Sequence, residues 1–146
     1  MLTHLNIIDN AVQFAQVHFR PDDRLLVAAP FFHCWGLING VLGIFAAGST
    51  AMVIRHFKAE PVLELIENVR PTQFLGVPAM VNHMTRSPVR SERDLRSLRV
   101  IHSAAAPMPN VVRSQILDSS SVTSSSQVQW QRDSHKFFRQ SIVQNH

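Results

Sequence analysis

The chain has 146 residues, 45% of them hydrophobic, and its 14 basic residues against 10 acidic ones give a net charge of +4. That suffices for one ordinary domain, and so mild an excess, nearly all of it Arg, is the charge of a solvated surface rather than of a nucleic-acid-binding face. The lone Cys34 excludes an internal disulfide and, with no signal-peptide pattern at the start, points to a reducing, cytoplasmic setting.

Thr3 is a fitting N-cap for a helix over His4 to His18, with Leu5, Ile8, Val12, Ala15 and Phe19 recurring at helical spacing as its expected inner face. Pro21-Asp22-Asp23 reads as a turn, Leu25 to Ala29 as a buried strand, and Pro30 to Cys34 as a loop. Trp35 to Ala47 reads as a buried helix, apolar nearly all round, with Gly48 as its C-cap. Thr50 to Ile54 is a second strand. A helix starts near Pro61 and runs to Val69, with Val62, Leu65, Ile66 and Val69 inward. Gln73 to Val77 is a third strand, and Pro78 to Arg86 a short helix. Ser87 to Arg96 is a polar loop with room for one helical turn, Leu98 to His102 a fourth strand, and Pro109 to Leu117 a last helix. Strands alternating with helices of this length imply parallel β-α-β units, hence an α/β fold with parallel strands sandwiched by helices.

From Leu25 to Ile54 there is no Asp, Glu, Lys or Arg. Trp35 to Ile54 is long enough to span a bilayer, which keeps a single-span membrane protein as an alternative. Against it, Pro30 and Gly48-Ser49-Thr50 split the run into strand, helix and strand, and parallel strands covered on both faces also read as continuous apolar runs. The expectation is therefore no membrane span. The Arg residues at 86, 90, 93, 96 and 99 would form a stripe on a single helix, but Pro88 breaks it and Glu92 and Asp94 dilute it, so no nucleic-acid partner is expected. The histidines show no ligand spacing, so no metal site is expected.

After Leu117 the composition changes. Asp118 to Gln131 holds six serines without a period, and such stretches seldom bury enough apolar surface to offset ordering entropy. The organisation expected is a domain over 1–117 and a disordered Ser-rich tail over 118–146.

Four segments carry a resemblance. Pro30-Phe31-Phe32-His33-Cys34-Trp35-Gly36 resembles the Pro-Leu-Phe-His-x-x-Gly signature of the AMP-forming acyl- and aryl-CoA ligases of the adenylate-forming superfamily. Met1-Leu2-Thr3-His4 is similar to that family's Met-Leu-Thr-His, Phe74 to Pro78 to its strand ending in Gly-Val-Pro, and Ser103 to Pro109 to its Ser-Gly-Ala/Gly-Ala-Pro-Leu loop. The four stand in the family's order over residues 1 to about 117. The resemblance implies that His33, Cys34, Trp35 and Gly36, with Gly76, Val77 and Pro78, bind the acyl substrate, and that Ala104, Ala105, Ala106 and Pro107 lie against the adenine. From the residues alone, a buried backbone-bonded His33 and ordinary strand-to-helix turns are the plainer accounts. Cys34 beside His33 suggests a nucleophilic pair, but neighbours on an extended chain point to opposite faces. Ala104 stands where the family has Gly, so a positive φ there would be strained.

The resemblance also implies a parent reaction. ATP and Mg²⁺ would convert a fatty or aryl carboxylic acid to an acyl-adenylate, and CoA would take the acyl group as a thioester. The family's phosphate loop, its aromatic-Gly-x-Thr-Glu motif and its catalytic-Lys domain are not matched in this chain. The expectation is a fragment of the large N-terminal domain, inactive alone, with no catalytic residue of its own, no tight cofactor binding and a tendency to self-associate. The alternative is a non-catalytic remnant or binding module.

Overall fold

The computed structural model describes residues 3–104, 106 and 111–112, together with the backbone of 124–129 and 139–144. Helix α1 (His4–His18) opens with a capping box. The Thr3 hydroxyl accepts from the Asn6 amide at 3.3 Å, and the Asn6 side chain accepts from the Thr3 amide at 3.0 Å. Two orphan amides of the first turn are thus satisfied. The buried face is Ala11, Phe14 and Ala15, whereas Leu5 and Ile8, expected inward, are 67% and 49% exposed. The helix packs against the helical segment that follows the first strand as well as lying over the sheet. That double contact turns positions 11, 14 and 15 inward and leaves 5 and 8 on the outer flank.

Four strands form the parallel sheet: β1 (Arg24–Val27), β2 (Thr50–Val53), β3 (Gln73–Gly76) and β4 (Val100–Ala104), in the order β2-β1-β3-β4. Leu25 is in register with Ala51 and Gln73, and Gly76 with Ser103. Side chains alternate across the sheet with period 2. Leu25, Val27, Ala29, Leu75 and Ala104 pack with Phe14, Trp35 and Ile44. Leu26, Ala28, Phe74 and Ile101 pack with α3 (Ala59–Val69) and α4 (Pro78–Thr85) through Val62, Leu63, Ile66, Val81 and Met84. Burial on both faces is why these strands read as unbroken apolar runs. In α3 the buried set includes Leu63, while Leu65 and Val69 are only half-buried.

The expected helix after β1 has two parts. Trp35–Leu42 is a π-helix, and it continues as α2 (Gly43–Ala47). Gly48 ends it with φ of +68°, and the amides of Gly48 and Ser49 bond back to Phe45 and Ile44. This layer is not buried all round: Leu37 is 43% and Phe45 78% exposed, because the sheet and α1 cover only one side. β2 is an edge strand with Val53 57% exposed. Pro88–Glu92 forms a single 3-10 turn.

β4 starts two residues later than expected. Leu98 still closes a turn on Leu95, and Arg99 first bonds the Thr72 carbonyl. The strand therefore reaches Ala104, which is extended. Among the described residues Arg70 is the non-glycine with positive φ, so Ala104 carries no such strain. Val111 and Val112 are helical, as expected for the segment after Pro109; the rest of that helix lies outside the described residues. In the tail expected to be disordered, the described backbone forms β5 (Ser124–Gln129), parallel to β4, and β6 (Arg139–Gln144), antiparallel to β5. The open edge of β4 offers unpaired backbone donors and acceptors, and pairing satisfies them whatever the side chains are. The remaining tail residues lie outside the described set.

Candidate functional site

β2 lies on one side of β1 and β3 on the other, so the strand order reverses at β1. From β1 the chain enters the helical layer shared with α1; from β3 it enters α4 on the opposite face. The carboxyl ends of β1 and β3 thus flank the crevice in which open α/β sheets hold ligands. Residues 30–36 leave β1 there, Gly76–Pro78 leave β3, and Ser103–Ala104 end β4 beside them.

The loop after β1 is a tight turn. The His33 amide bonds the Pro30 carbonyl at 3.1 Å. His33 is exposed, and its Nδ1 accepts from the Trp35 amide at 3.1 Å, capping the π-helix from the side chain. In the neutral ring this leaves the proton on Nε2. Cys34 Sγ lies 3.7 Å from the same Nδ1, so the turn brings together side chains that an extended chain would separate. The lone pair of Nδ1 is already taken by the Trp35 amide, so the imidazole is not placed to deprotonate the thiol. Gly36 sits where no Cβ fits: it would collide with the Pro30 carbonyl oxygen and come within 2.6 Å of that of Ala29.

Trp35 is 1% exposed and lies behind the crevice wall, in edge contact with Phe14 at 5.7 Å between ring centroids. Its indole Nε1 donates to the Gly76 carbonyl at 2.9 Å, joining the β1 loop to the end of β3. Gly76 needs its missing side chain too, since a Cβ would lie 2.7 Å from the Phe74 ring. Val77 is the N-cap of α4 and Pro78 its first residue, where a missing amide proton costs nothing. Ala104 is buried and Ala106 exposed; Ala105 and Pro107 lie outside the described residues. Phe32 stands out from the loop, 95% exposed. Ser103 opens the segment resembling the adenine loop and has no role implied by that resemblance. It is fully buried, and among the described residues its Oγ has no hydrogen-bond partner. A serine inside a run of small apolar residues was the available signal.

The opposite end of the sheet holds a polar cluster that sequence reading took for a turn and plain strands. Asp23 is 2% exposed. Its Oδ1 accepts from Thr72 at 2.7 Å and Arg99 at 2.6 Å, and its Oδ2 from Gln73 at 2.6 Å and the Arg20 amide at 2.8 Å. Gln73 also donates to the His18 carbonyl at 3.0 Å, so its Oε1, 2.5 Å from His102 Nε2, is the acceptor of that bond. Burial would raise the Asp23 carboxyl, but the bonds from Thr72, Arg99 and the Arg20 amide hold it below its ordinary value. Burial, and then the neighbouring His18 and Arg99, keep the His102 imidazole well below its usual range, and burial pushes His18 down to about 4. Other arginine pairs lie on the outer surface, among them Arg93 with Glu67, and Arg70 and Arg96 with Asp94.

Among the described residues no three His, Cys, Asp or Glu side chains converge as metal ligands. A cavity of about 20 Å³ between α4 and β4, lined by Val81, Met84, Arg90 and Leu98, has room for a water molecule and not for a substrate. No helix among the described residues is long and apolar enough to cross a membrane; the run from 35 to 54 is divided among the π-helix, α2 and β2.

A parallel four-stranded sheet with helices on both faces, its strand order reversing at β1, defines an α/β domain. Residues 1–123 match the family described as AMP-binding enzyme, and the chain belongs to that family. It is 35% identical over 119 residues to a feruloyl-CoA synthase of Amycolatopsis, covering 81% of this chain and 24% of the relative. It is 33% identical over 113 residues to the 4-coumarate–CoA ligase of Pinus taeda, covering 74% and 21%. The N-terminal domain of FACL13 from Mycobacterium tuberculosis superposes with a TM-score of 0.77 at 26% identity, over 86% of this chain and 32% of that one. The chain therefore spans about a fifth to a quarter of the length of the curated relatives it matches.

Proposed function

We propose that this chain is part of the N-terminal domain of an ATP-dependent acyl- or aryl-CoA ligase, and that its 146 residues do not turn over alone. The supporting observation is the Trp35–Gly76 bond, which draws the two loops resembling the family's acyl-pocket segments together at the reversal point of the sheet. The relatives' names, ligases of coumarate and synthases of feruloyl-CoA, favour a planar aryl acid as the substrate class of the parent. In this reading His33, Cys34 and Gly36 line one wall of the acyl pocket and Gly76 to Pro78 the other. Ala104 to Pro107 lie against the adenine. ATP and CoA are co-substrates of the parent. No cluster of carboxylates among the described residues would hold Mg²⁺, and it carries no step here. The chemistry of this segment is positional: it orients the carboxylate and the nucleoside, and other parts of the parent stabilise the departing pyrophosphate.

The proposal includes a cytoplasmic setting and self-association of the isolated chain, favoured by the exposed Leu37, Phe45 and Val53 and by the edge strand β2. ATP–pyrophosphate exchange with a panel of fatty and aryl acids tests the catalytic half. Background rates are expected with every acid. Acid-dependent exchange that disappears in His33→Ala would retain the pocket and refute inactivity.

A further inference from the structure

We propose that Trp35 is a positioning residue: it acts as a strut, setting the separation of the two pocket walls without touching the ligand. The inference rests on the reading of the crevice as an acyl pocket and goes beyond it, because the resemblance would make Trp35 a lining residue.

The residue is held at both ends, by its main chain and by the tip of its side chain. Its main-chain amide donates to His33 Nδ1, which fixes the imidazole plane and tautomer on the β1 side. Its indole Nε1 donates to the carbonyl of Gly76, the last residue of β3. Between these anchors the ring is 1% exposed and buttressed by Phe14, so it cannot swing away without opening the core. Gly36 and Gly76 complete the arrangement. Each stands where a Cβ would collide, with the backbone of Ala29 and Pro30 in one case and the Phe74 ring in the other. The distance from His33 to the start of α4 is therefore spanned by one rigid indole rather than by flexible loop.

The consequence is specific. An indole reaches Gly76 and donates; a phenyl ring fills most of the space and cannot donate. Loss of the donor leaves the Gly76 carbonyl buried without this partner. The strain falls on Val77 and Pro78 and then on the first turn of α4, where the amides of Met80 and Val81 bond the Val77 carbonyl at 3.0 and 3.3 Å.

The test uses the full chain and no ligand, so its failure is separate from failure of the functional reading. Trp35 is replaced site-specifically by benzothienylalanine, which keeps the ring shape and puts sulfur in place of the N–H. Trp35→Phe serves as the second variant. Amide hydrogen exchange is followed residue by residue. Exchange at Met80 and Val81 is expected to rise about tenfold, the scale of one lost buried hydrogen bond, while Leu26, Leu63 and Ile66 stay unchanged. Unchanged rates at Met80 and Val81 would overturn the strut. A rise shared equally by all slow amides would also overturn it, leaving Trp35 as plain core.

Discussion

The two ends of one sheet are built on opposite principles. At the amino ends of β1, β3 and β4, Asp23, Thr72, Gln73 and Arg99 knit the strand starts together through buried, charge-assisted hydrogen bonds. At the carboxyl ends the chain turns on glycines and a single indole–carbonyl bond, and Phe32 and His33 stand open. The contrast sets an end built for stability against the end that carries the candidate site. The closed end fixes where the strands start and spends its polar groups on one another. The open end keeps its loops short, and its free groups face outward.

Removing the centre of the closed end should have the largest effect. Asp23→Ala removes the carboxylate on which Thr72, Gln73 and Arg99 converge, and should cost about 3 kcal/mol, the low end for breaking a buried pair because Arg99 is one-third exposed. Urea denaturation measures this, and a cost near zero would erase the contrast. Gly36→Ala probes the open end by geometry. A methyl group meeting the Pro30 carbonyl should destabilise by about 1–3 kcal/mol, also read from the urea midpoint.

Acid titration sharpens the comparison further. His18 and His102 are held neutral below their ordinary value, so the unfolded chain binds more protons below pH 6.5 and stability falls with pH. For His18 the loss runs from about pH 6.5 down to about 4. Asp23, depressed in the fold, adds a further loss below its ordinary value of 3.8. Thermal melts across this range should show Tm falling continuously; a flat profile between pH 6.5 and 4 would mean that neither histidine is buried as described. The smallest effect is expected at Phe32→Ser. That side chain is 95% exposed, and its loss should change stability by less than about 0.5 kcal/mol.

The sequence revealed the alternation of strands and helices because two-sided burial writes long apolar runs, and Gly48 and Pro78 punctuate them as caps do. It singled out the candidate site because His33, Trp35 and Gly36 follow the first such run. It misplaced the inner face of α1, since Leu5 and Ile8 fit the period as well as Ala11 and Phe14 do; only the neighbouring helix decides between them. It could not show that Trp35 faces backward, because periodicity does not distinguish a lining residue from a strut. Gln73 and His102, polar residues within buried strands, were the visible trace of the closed end. Asp23, the carboxylate that Gln73 bonds from fifty positions further along the chain, could be found only in the fold. The pairing of 124–129 with β4 had no signal in a serine run, since backbone bonding at an open edge asks little of side chains.

The most direct test of the account is a titration of the full chain with an aryl acyl-sulfamoyladenosine, a stable mimic of an acyl-adenylate, followed by backbone amide chemical shifts. The account predicts weak binding, with shifts confined to residues 33–36, 76–79 and 103–106 and none at 18–24, 72–73 or 99–100. Shifts centred on the Asp23 cluster, or no shifts at all at millimolar ligand, would contradict it.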